Sequence, residues 1–150
     1  MLGELNQQQI ELLLNSETIG RIGCYADNKV YLVPVSYAYH DGYIYAHSKD
    51  GLKIQMMRKN PEVCFEIDTM QNMSNWESVI SWGKYEELTD KESQMKGMQI
   101  LMDRLMPLMT SETAQPSHGM MESHQKDTEG FHAVAFRILL KEKTGRFEKR

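Results

Sequence analysis

The sequence has few cysteines and lacks the patterns of a membrane or exported protein. Its 150 residues include only Cys24 and Cys64, which are isolated and form no CxxC pair, so we interpret both as buried free thiols. No apolar run approaches the roughly 20 residues that are needed to cross a bilayer. The first nine residues show no basic region followed by an apolar segment, so no signal peptide is expected. These absences predict a cytoplasmic protein that does not span a membrane.

Basic residues are also scarce relative to acidic ones, which gives a formal net charge of −4. Binding to nucleic acid depends on clustered Lys and Arg, so this balance argues against nucleic acid as the main partner. The five histidines show neither HxH nor HExxH spacing, and no paired carboxylate sits with them, so no metal site is expected. GxGxxG, P-loop and GxSxG motifs are absent as well.

The sequence does contain a series of strand-like runs separated by turn residues, in a length suited to a single domain over residues 1–150. Strands are expected at residues 19–25, 30–39, 43–47, 63–68, 76–88 and 131–140. Helices are expected at 6–14, at about 51–59, and from about 89, where a capping-box pattern precedes a stripe of methionines. Residues 110–130 are expected to form a loop and 141–150 a charged tail. Strands joined mainly by hairpins favour a small antiparallel barrel with helices outside, an α+β plan that is mainly β.

A candidate phosphate site lies where the third predicted strand leads into a helix. Ser48 and Lys53 fall near the first turn of that helix, whose unpaired N–H groups and dipole favour an anion. Asp50 would repel a phosphate, so it is expected to cap the helix instead. A turn serine and a solvated lysine would give the same pattern, so a purely structural interpretation stays open at this point.

Two further features lie close to this segment in sequence. Proline cannot donate to a sheet, so Pro34 indicates a strand edge whose backbone could face a flat ligand. His47 could donate a proton or position a small substrate, although a lone histidine is also commonly structural. On the fifth predicted strand, Trp76, Ser78 and Trp82 share one face, which is typical of core or interface residues. Gly83 on the same strand predicts a bulge or bend there.

Taken in order, these segments resemble one known family. The matching runs are GRIG (20–23), VPVSY (33–37), DGYIYAHS (41–48), GLK (51–53), RKNPEVCFE (58–66), WESV (76–79) and WGKYEEL (82–88). They are similar to the pyridoxamine 5′-phosphate oxidase-like FMN-binding split barrels, and within them to the branch that contains nitroimidazole-resistance proteins. The resemblance covers about residues 19–88 and returns weakly at 136–138.

This resemblance implies a six-stranded antiparallel split β-barrel with flanking helices, acting as a homodimer with FMN at the subunit interface. The residues whose backbone would face the flavin ring are Val33, Pro34, Val35 and Ser36. The residues that would hold the ribityl-phosphate end or line its approach are His47, Ser48 and Lys53, with His47 as the catalytic candidate. The residues that would complete the site from the other subunit are Trp76, Ser78 and Val79.

Two departures limit what the resemblance implies. The Ser-Arg-Lys phosphate clamp of true pyridoxamine phosphate oxidases is absent, because residues 48–53 read SKDGLK. The substrate-binding Arg and His pattern at the C-terminus of those enzymes is not recognisable either, because residues 144–150 read TGRFEKR. Oxidation of vitamin B6 is therefore not the expected activity.

The leading hypothesis is an FMN-dependent oxidoreductase that passes electrons from a reduced nicotinamide nucleotide to a small acceptor such as a nitro compound. A non-catalytic protein that stores or senses FMN would share the same site. Similar barrels accept haem or deazaflavin, and a structural dimer with a degenerate site is a further alternative. Visible absorbance would separate flavin from haem.

Overall fold

An antiparallel sheet flanked by helices makes up the described part of the chain, residues 1–108 and 133–150 of a computed structural model. It contains eight strands, three α-helices and a 3₁₀ helix at Met106–Leu108. The strands are β1 (Leu2–Glu4), β2 (Ile19–Ala26), β3 (Lys29–Ser36), β4 (Ala38–His40), β5 (Tyr43–Lys49), β6 (Glu62–Asn72), β7 (Asn75–Glu87) and β8 (Ala133–Glu148). The helices are α1 (Gln7–Ser16), α2 (Leu52–Lys59) and α3 (Lys91–Leu105).

The strands pair in the order β3-β2-β6-β7-β8-β5-β4, and β1 pairs with the far end of β8. All of these pairings are antiparallel. Six strands have seven residues or more, whereas β1 and β4 have three each. Within the described residues β3 and β4 end the order without pairing to each other, so the sheet is open between them. The predicted α+β split barrel, mainly β, is confirmed.

Alternation of side chains along the strands separates a buried inner face from an outer face. Ile22, Phe65 and Val79 are almost completely buried on the inner face. The helices α1 and α2 cover this face with side chains such as Leu14 and Met57, which belong to the same cluster. The main core therefore lies between the curved sheet and these two helices.

The third helix builds a second, smaller cluster on the other side of β5 and β8. Tyr45 and Ala135 face this helix, and Met98 and Leu105 pack against them. Met95, which the sequence places on the same stripe, is exposed instead. Successive residues of β5 thus serve two different clusters, and this decides where the side chains at its end point.

Residues 30–39 form two strands, β3 and β4, rather than the one predicted strand. The break falls at Tyr37, whose amide donates to the Thr18 carbonyl at 2.9 Å. Its buried hydroxyl donates to the Leu14 carbonyl, also at 2.9 Å. These two bonds hold Tyr37 beside the start of β2 and against α1, and the residues that follow it, β4, pair with β5 instead.

The prediction of a charged tail at residues 141–150 is wrong, because most of this segment is the second half of β8. It pairs with β7 on one side and with β1 on the other. Its alternation is hard to see because small Gly145 and half-buried Phe147 are the inward residues between polar or charged neighbours. Lys141 has no partner on β7, which makes a bulge beside Gly83, where the sequence predicted a bulge or bend.

The capping patterns of the helices also differ from the predictions. A full capping box forms at α1, where Asn6 and Gln9 exchange two backbone-to-side-chain bonds of 2.8 Å. At α3, where the box was predicted, Asp90 alone caps the helix by accepting a bond of 2.9 Å from the Ser93 amide. The sequence located the start of α3 correctly but not its capping pattern.

Some predictions lie outside the described residues, namely the loop at 110–130 with His118 and His124. Within residues 1–108 and 133–150, no helix is long and apolar enough to cross a membrane. The same ranges hold no group of three or more His, Cys, Asp or Glu side chains that could bind a metal ion.

Candidate functional site

The open edge of the sheet brings two of the predicted segments near each other. β3 is paired with β2, yet it also contacts β5, which lies near the other end of the strand order. β4 pairs only with residues 43–45 of β5, so β5 extends past the end of β4. Pro34 lies on β3, an edge strand, as its missing N–H predicted. The cleft between β3 and the end of β5, which we call the β3–β5 cleft, is where a flat ligand could meet backbone groups.

The four predicted residues of β3 do not share one face. Val33 and Val35 alternate with the more exposed Pro34 and Ser36, and Val35 is buried in the inner core. A ligand lying along this edge would contact the backbone of all four residues rather than a common set of side chains. The backbone role that the resemblance implies for these residues stays a prediction.

Lys53 lies in the first turn of α2 and is half-buried. No side chain caps this helix start at Gly51. Burial lowers the pKa of the Lys53 ammonium, and the nearby Cys24 thiol partly opposes this effect. Among the described residues, no carboxylate lies within ion-pair distance of Lys53. A half-buried cation of this kind, at an uncapped helix start, is suited to bind an anion.

His47 and Ser48 are adjacent on β5 and therefore point to opposite faces of the sheet. Ser48 shares the inner face with Ala46, and its hydroxyl donates to the carbonyl of the next residue at 2.8 Å. His47 shares the face of Tyr45, which is the side of α3. Ser48 is thus on the same side of the sheet as α2 and Lys53, whereas His47 is on the other side.

The three predicted residues of β7 are also divided between the faces. Trp76 and Ser78 lie on the outer face, in the same alternation as the exposed Ile80 and Trp82. Val79 is completely buried in the inner core, so it could offer a ligand only its backbone. Because β7 is central in the strand order, Trp76 and Ser78 do not reach the β3–β5 cleft of their own chain. They could contribute to such a site only in a second copy.

A charged network beside residues 48–53 was missed from the sequence. The Arg58 guanidinium donates to the Glu87 carboxylate at 2.7 and 3.1 Å and to the Asp50 carboxylate at 3.1 and 3.2 Å. The prediction that Asp50 caps α2 is therefore wrong. The hydrogen bond from Arg58, with a second from the Tyr85 hydroxyl at 2.7 Å, holds the pKa of the Glu87 carboxyl below its usual value. Arg58 and Glu87 are 29 positions apart, so no local pattern could reveal their pairing.

Comparison with known families identifies the family of this chain. A family model described as pyridoxamine 5′-phosphate oxidase matches residues 6–146. The chain belongs to the pyridoxamine 5′-phosphate oxidase family. The match extends beyond the segment of residues 19–88 on which the resemblance rests, and it takes in α1 and most of β8.

Several solved structures share this fold. The chain is 29% identical to an FAD-binding protein from Mesorhizobium loti, over 99% of both chains and with a TM-score of 0.78. It is 20% identical to a protein from Bacteroides thetaiotaomicron described as a candidate 5-nitroimidazole antibiotic resistance protein, over 98% of this chain and 87% of that chain, with a TM-score of 0.71. It is 14% identical to a flavocytochrome from Azotobacter vinelandii, over 97% of this chain and 68% of that chain, with a TM-score of 0.70. At identities this low, the last two show the fold alone.

A curated relative has also been found in Rhizobium meliloti (strain 1021), where it is described as an uncharacterized protein. The two are 31% identical over 84 residues, which cover 56% of each chain. The chain thus spans about half the length of the curated relative that it matches.

Proposed function

We propose that this chain is an FMN-binding flavoprotein that passes electrons from a reduced nicotinamide nucleotide to a small acceptor such as a nitro compound. The observation that carries the proposal is the half-buried Lys53 in the first turn of α2, without a carboxylate partner among the described residues. Family membership, with a solved structure at 29% identity that is described as an FAD-binding protein, supports a flavin as the ligand. The phosphate would bind near Lys53 and Ser48, and the ring would lie along the backbone of residues 33–36.

The chemistry of the β3–β5 cleft fits a phosphorylated flavin. Lys53 and the amides of the first turn of α2 would supply positive charge and N–H donors, as anion sites at helix starts commonly do. A phosphate beside Lys53 would favour its charged form and offset the effect of burial. When bound, the flavin would supply the redox chemistry, while the chain binds it, orients it and limits access of water. His47 is the candidate for positioning or protonating a substrate.

We also propose that the protein is a homodimer with flavin at the interface, formed through the outer face of the sheet. Leu32, Cys64 and Trp82 lie in one row across neighbouring strands of this face. Leu32 is 66% exposed and Trp82 is 42% exposed, and exposed apolar side chains that lie in one row are typical of an interaction surface. Trp76 and Ser78 lie on the same face, so in such a dimer they would be available to the flavin of the other copy.

The first test measures which ligand the purified protein contains and how strongly its binding depends on the phosphate group. We expect a flavin spectrum, with FMN identified by the mass of the released ligand.

Lys53→Gln should weaken FMN binding by about tenfold or more while leaving riboflavin binding unchanged, because charge-assisted contacts to a phosphate are lost. Lys59→Gln is the matched control, since it removes a charge from the last turn of the same helix. A colourless protein that does not take up added FMN would sink the proposal, and a Soret band would favour haem.

The alternative is a protein that binds flavin for storage or sensing without turnover. The orientation of His47 favours it, because this side chain faces α3 on the side of the sheet away from Lys53. Rapid mixing of the FMN-loaded protein with a reduced nicotinamide nucleotide, followed by a nitro compound, separates the two functions. Reduction and then reoxidation of the flavin would support the oxidoreductase. Tight FMN binding without either step would support storage or sensing.

A further inference from the structure

Arg58 connects three parts of the chain next to the proposed phosphate position. Its Nε and Nη2 atoms donate to the two carboxylate oxygens of Glu87, at 2.7 and 3.1 Å, which joins α2 to the end of β7. Its Nη1 atom donates to both carboxylate oxygens of Asp50, at 3.1 and 3.2 Å, which joins α2 to the loop before it. The Tyr85 hydroxyl donates to Glu87 at 2.7 Å, so the carboxylate that holds the guanidinium is itself fixed.

Asp50 is the residue whose charge makes this network important. It lies between Ser48 and Lys53 in the sequence, so its carboxylate would repel a phosphate bound at the same turn. The guanidinium, which Asp50 shares with Glu87, offsets part of this charge. No side chain caps α2 at Gly51. The ion pair between Asp50 and Arg58 is therefore a side-chain contact that fixes the loop against this helix.

We propose that Arg58 is a positioning residue for the flavin phosphate, which fixes the loop of residues 48–51 and offsets part of the charge of Asp50 without itself touching the ligand. This inference rests on the proposed function and adds to it a selectivity for phosphorylated over unphosphorylated flavin. Loss of Arg58 leaves the contacts of the ring with β3 intact, because the guanidinium bonds only to β7 and to the loop among the described residues. Loss of Arg58 therefore weakens only the part of the flavin affinity that depends on the phosphate.

The test compares the dissociation constants of FMN and riboflavin, measured by quenching of flavin fluorescence. We expect Arg58→Gln to weaken FMN binding by about tenfold and to change riboflavin binding by less than about twofold. Lys59→Gln is the matched control, because Lys59 pairs at 2.6 Å with Asp27, which lies in the turn between β2 and β3 and away from the loop. It removes the same charge from the same end of α2 and should leave both constants unchanged.

A double variant separates compensation of charge from fixing of the loop. Adding Asp50→Asn to Arg58→Gln removes the carboxylate that has lost its partner, and it should recover FMN binding by about threefold. In the ligand-free protein, hydrogen exchange at the amides of residues 50–53 should be faster in Arg58→Gln than in Lys59→Gln. If Arg58→Gln does not fold, Arg58→Lys provides the test. It keeps the charge but not the forked geometry, and should lose a smaller factor that is confined to FMN.

The outcomes of this test are distinct from those of the proposed function. Equal losses for FMN and riboflavin in Arg58→Gln, or an equal FMN loss in Lys59→Gln, would overturn the inference while leaving flavin binding intact. If Arg58→Gln does not fold and Arg58→Lys binds FMN as tightly as the wild type, the inference is also overturned. If the wild-type chain binds neither flavin, the proposed function fails, and the inference fails with it.

Discussion

Gly83 is a residue at which the sheet leaves no room for a side chain. A Cβ atom built there would lie 2.2 Å from the carbonyl oxygen of Leu139 and 2.9 Å from Cγ2 of Ile138. The oxygen belongs to the backbone of β8 and cannot withdraw without disturbing its pairing with β7. Gly83→Ala should therefore lower the free energy of unfolding by about 2 kcal/mol or more, measured by urea denaturation.

The matched control for this substitution is Gly23→Ala, also within a strand. The atoms nearest to a Cβ at Gly23 are 3.6 Å or more away, which is ordinary contact. Its unfolding free energy should change by no more than about 0.5 kcal/mol, and two protein concentrations separate any effect of self-association. If Gly83→Ala and Gly23→Ala lost similar amounts of unfolding free energy, the close approach of β8 to Gly83 would not be the reason that a side chain is excluded there.

Single residues were predictable from the sequence when their effect acts through their own backbone. Pro34 indicated a strand edge because it has no N–H to donate, and Gly83 indicated an irregularity because it has no Cβ. Asp50 was assigned wrongly because its role depends on Arg58, 8 residues further on, and through it on Glu87. The residues next to Asp50 in the sequence indicated only a helix cap, and this assignment was wrong.

Among the helices, α2 is tied to β7 by an ion pair that should make stability depend on pH. Arg58 holds the pKa of Glu87 below its usual value in the folded state. A depressed carboxyl pKa adds stability that is present above the unfolded value of about 4.3 and is lost as pH falls through the folded value. At pH 7, Glu87→Gln should cost roughly 1 kcal/mol, a figure that already allows for solvent screening because the Arg58 side chain is 42% exposed.

The measurement is urea denaturation of the wild type and of Glu87→Gln at neutral pH and at about pH 3. The gap between the two proteins should shrink as pH falls from about 4.3 through the lowered pKa of folded Glu87, because this carboxyl then becomes protonated and loses its charge. A gap that stays constant with pH would show that Glu87 stabilises the fold by packing rather than by its charge.

Whole elements were predictable where alternation of apolar residues is strong, as in β2, β6 and β7. The second half of β8 was not, because its partners β1 and β7 come from the other parts of the sequence and its outward positions are charged. The split of residues 30–39 was hidden for a similar reason. Tyr37, the residue at the split, bonds to Thr18 and Leu14, which are remote in sequence.

At the scale of the whole molecule, the sequence pattern favoured a barrel, but the split barrel and its dimer came from the ordered resemblance. The resemblance could list residues of a site but not the faces on which they lie. His47 and Ser48 are neighbours in sequence and point to opposite sides of β5. The outer-face residues Trp76 and Ser78 can join the site only if two copies meet, so the proposed function depends on association.

Leu32→Glu tests that dependence. Leu32 is 66% exposed on the outer face, and a carboxylate placed in a dimer interface there would have to be buried without a partner, which costs several kcal/mol. Sedimentation velocity should show a dimer for the wild type and a monomer for Leu32→Glu at the same concentration. Leu12→Glu is the control, because Leu12 is 70% exposed on α1 and away from that face.

Flavin binding provides the second measurement on the same variants. If part of the site comes from the other copy, Leu32→Glu should lose FMN together with the dimer, and Leu12→Glu should keep both. A monomeric Leu32→Glu that binds FMN as tightly as the wild type would assign the whole site to one chain, and Trp76 and Ser78 would then have no part in it. A Leu32→Glu that remains dimeric would move the interface to another face of the molecule, because a buried and unpaired carboxylate is not tolerated at the centre of a protein–protein contact.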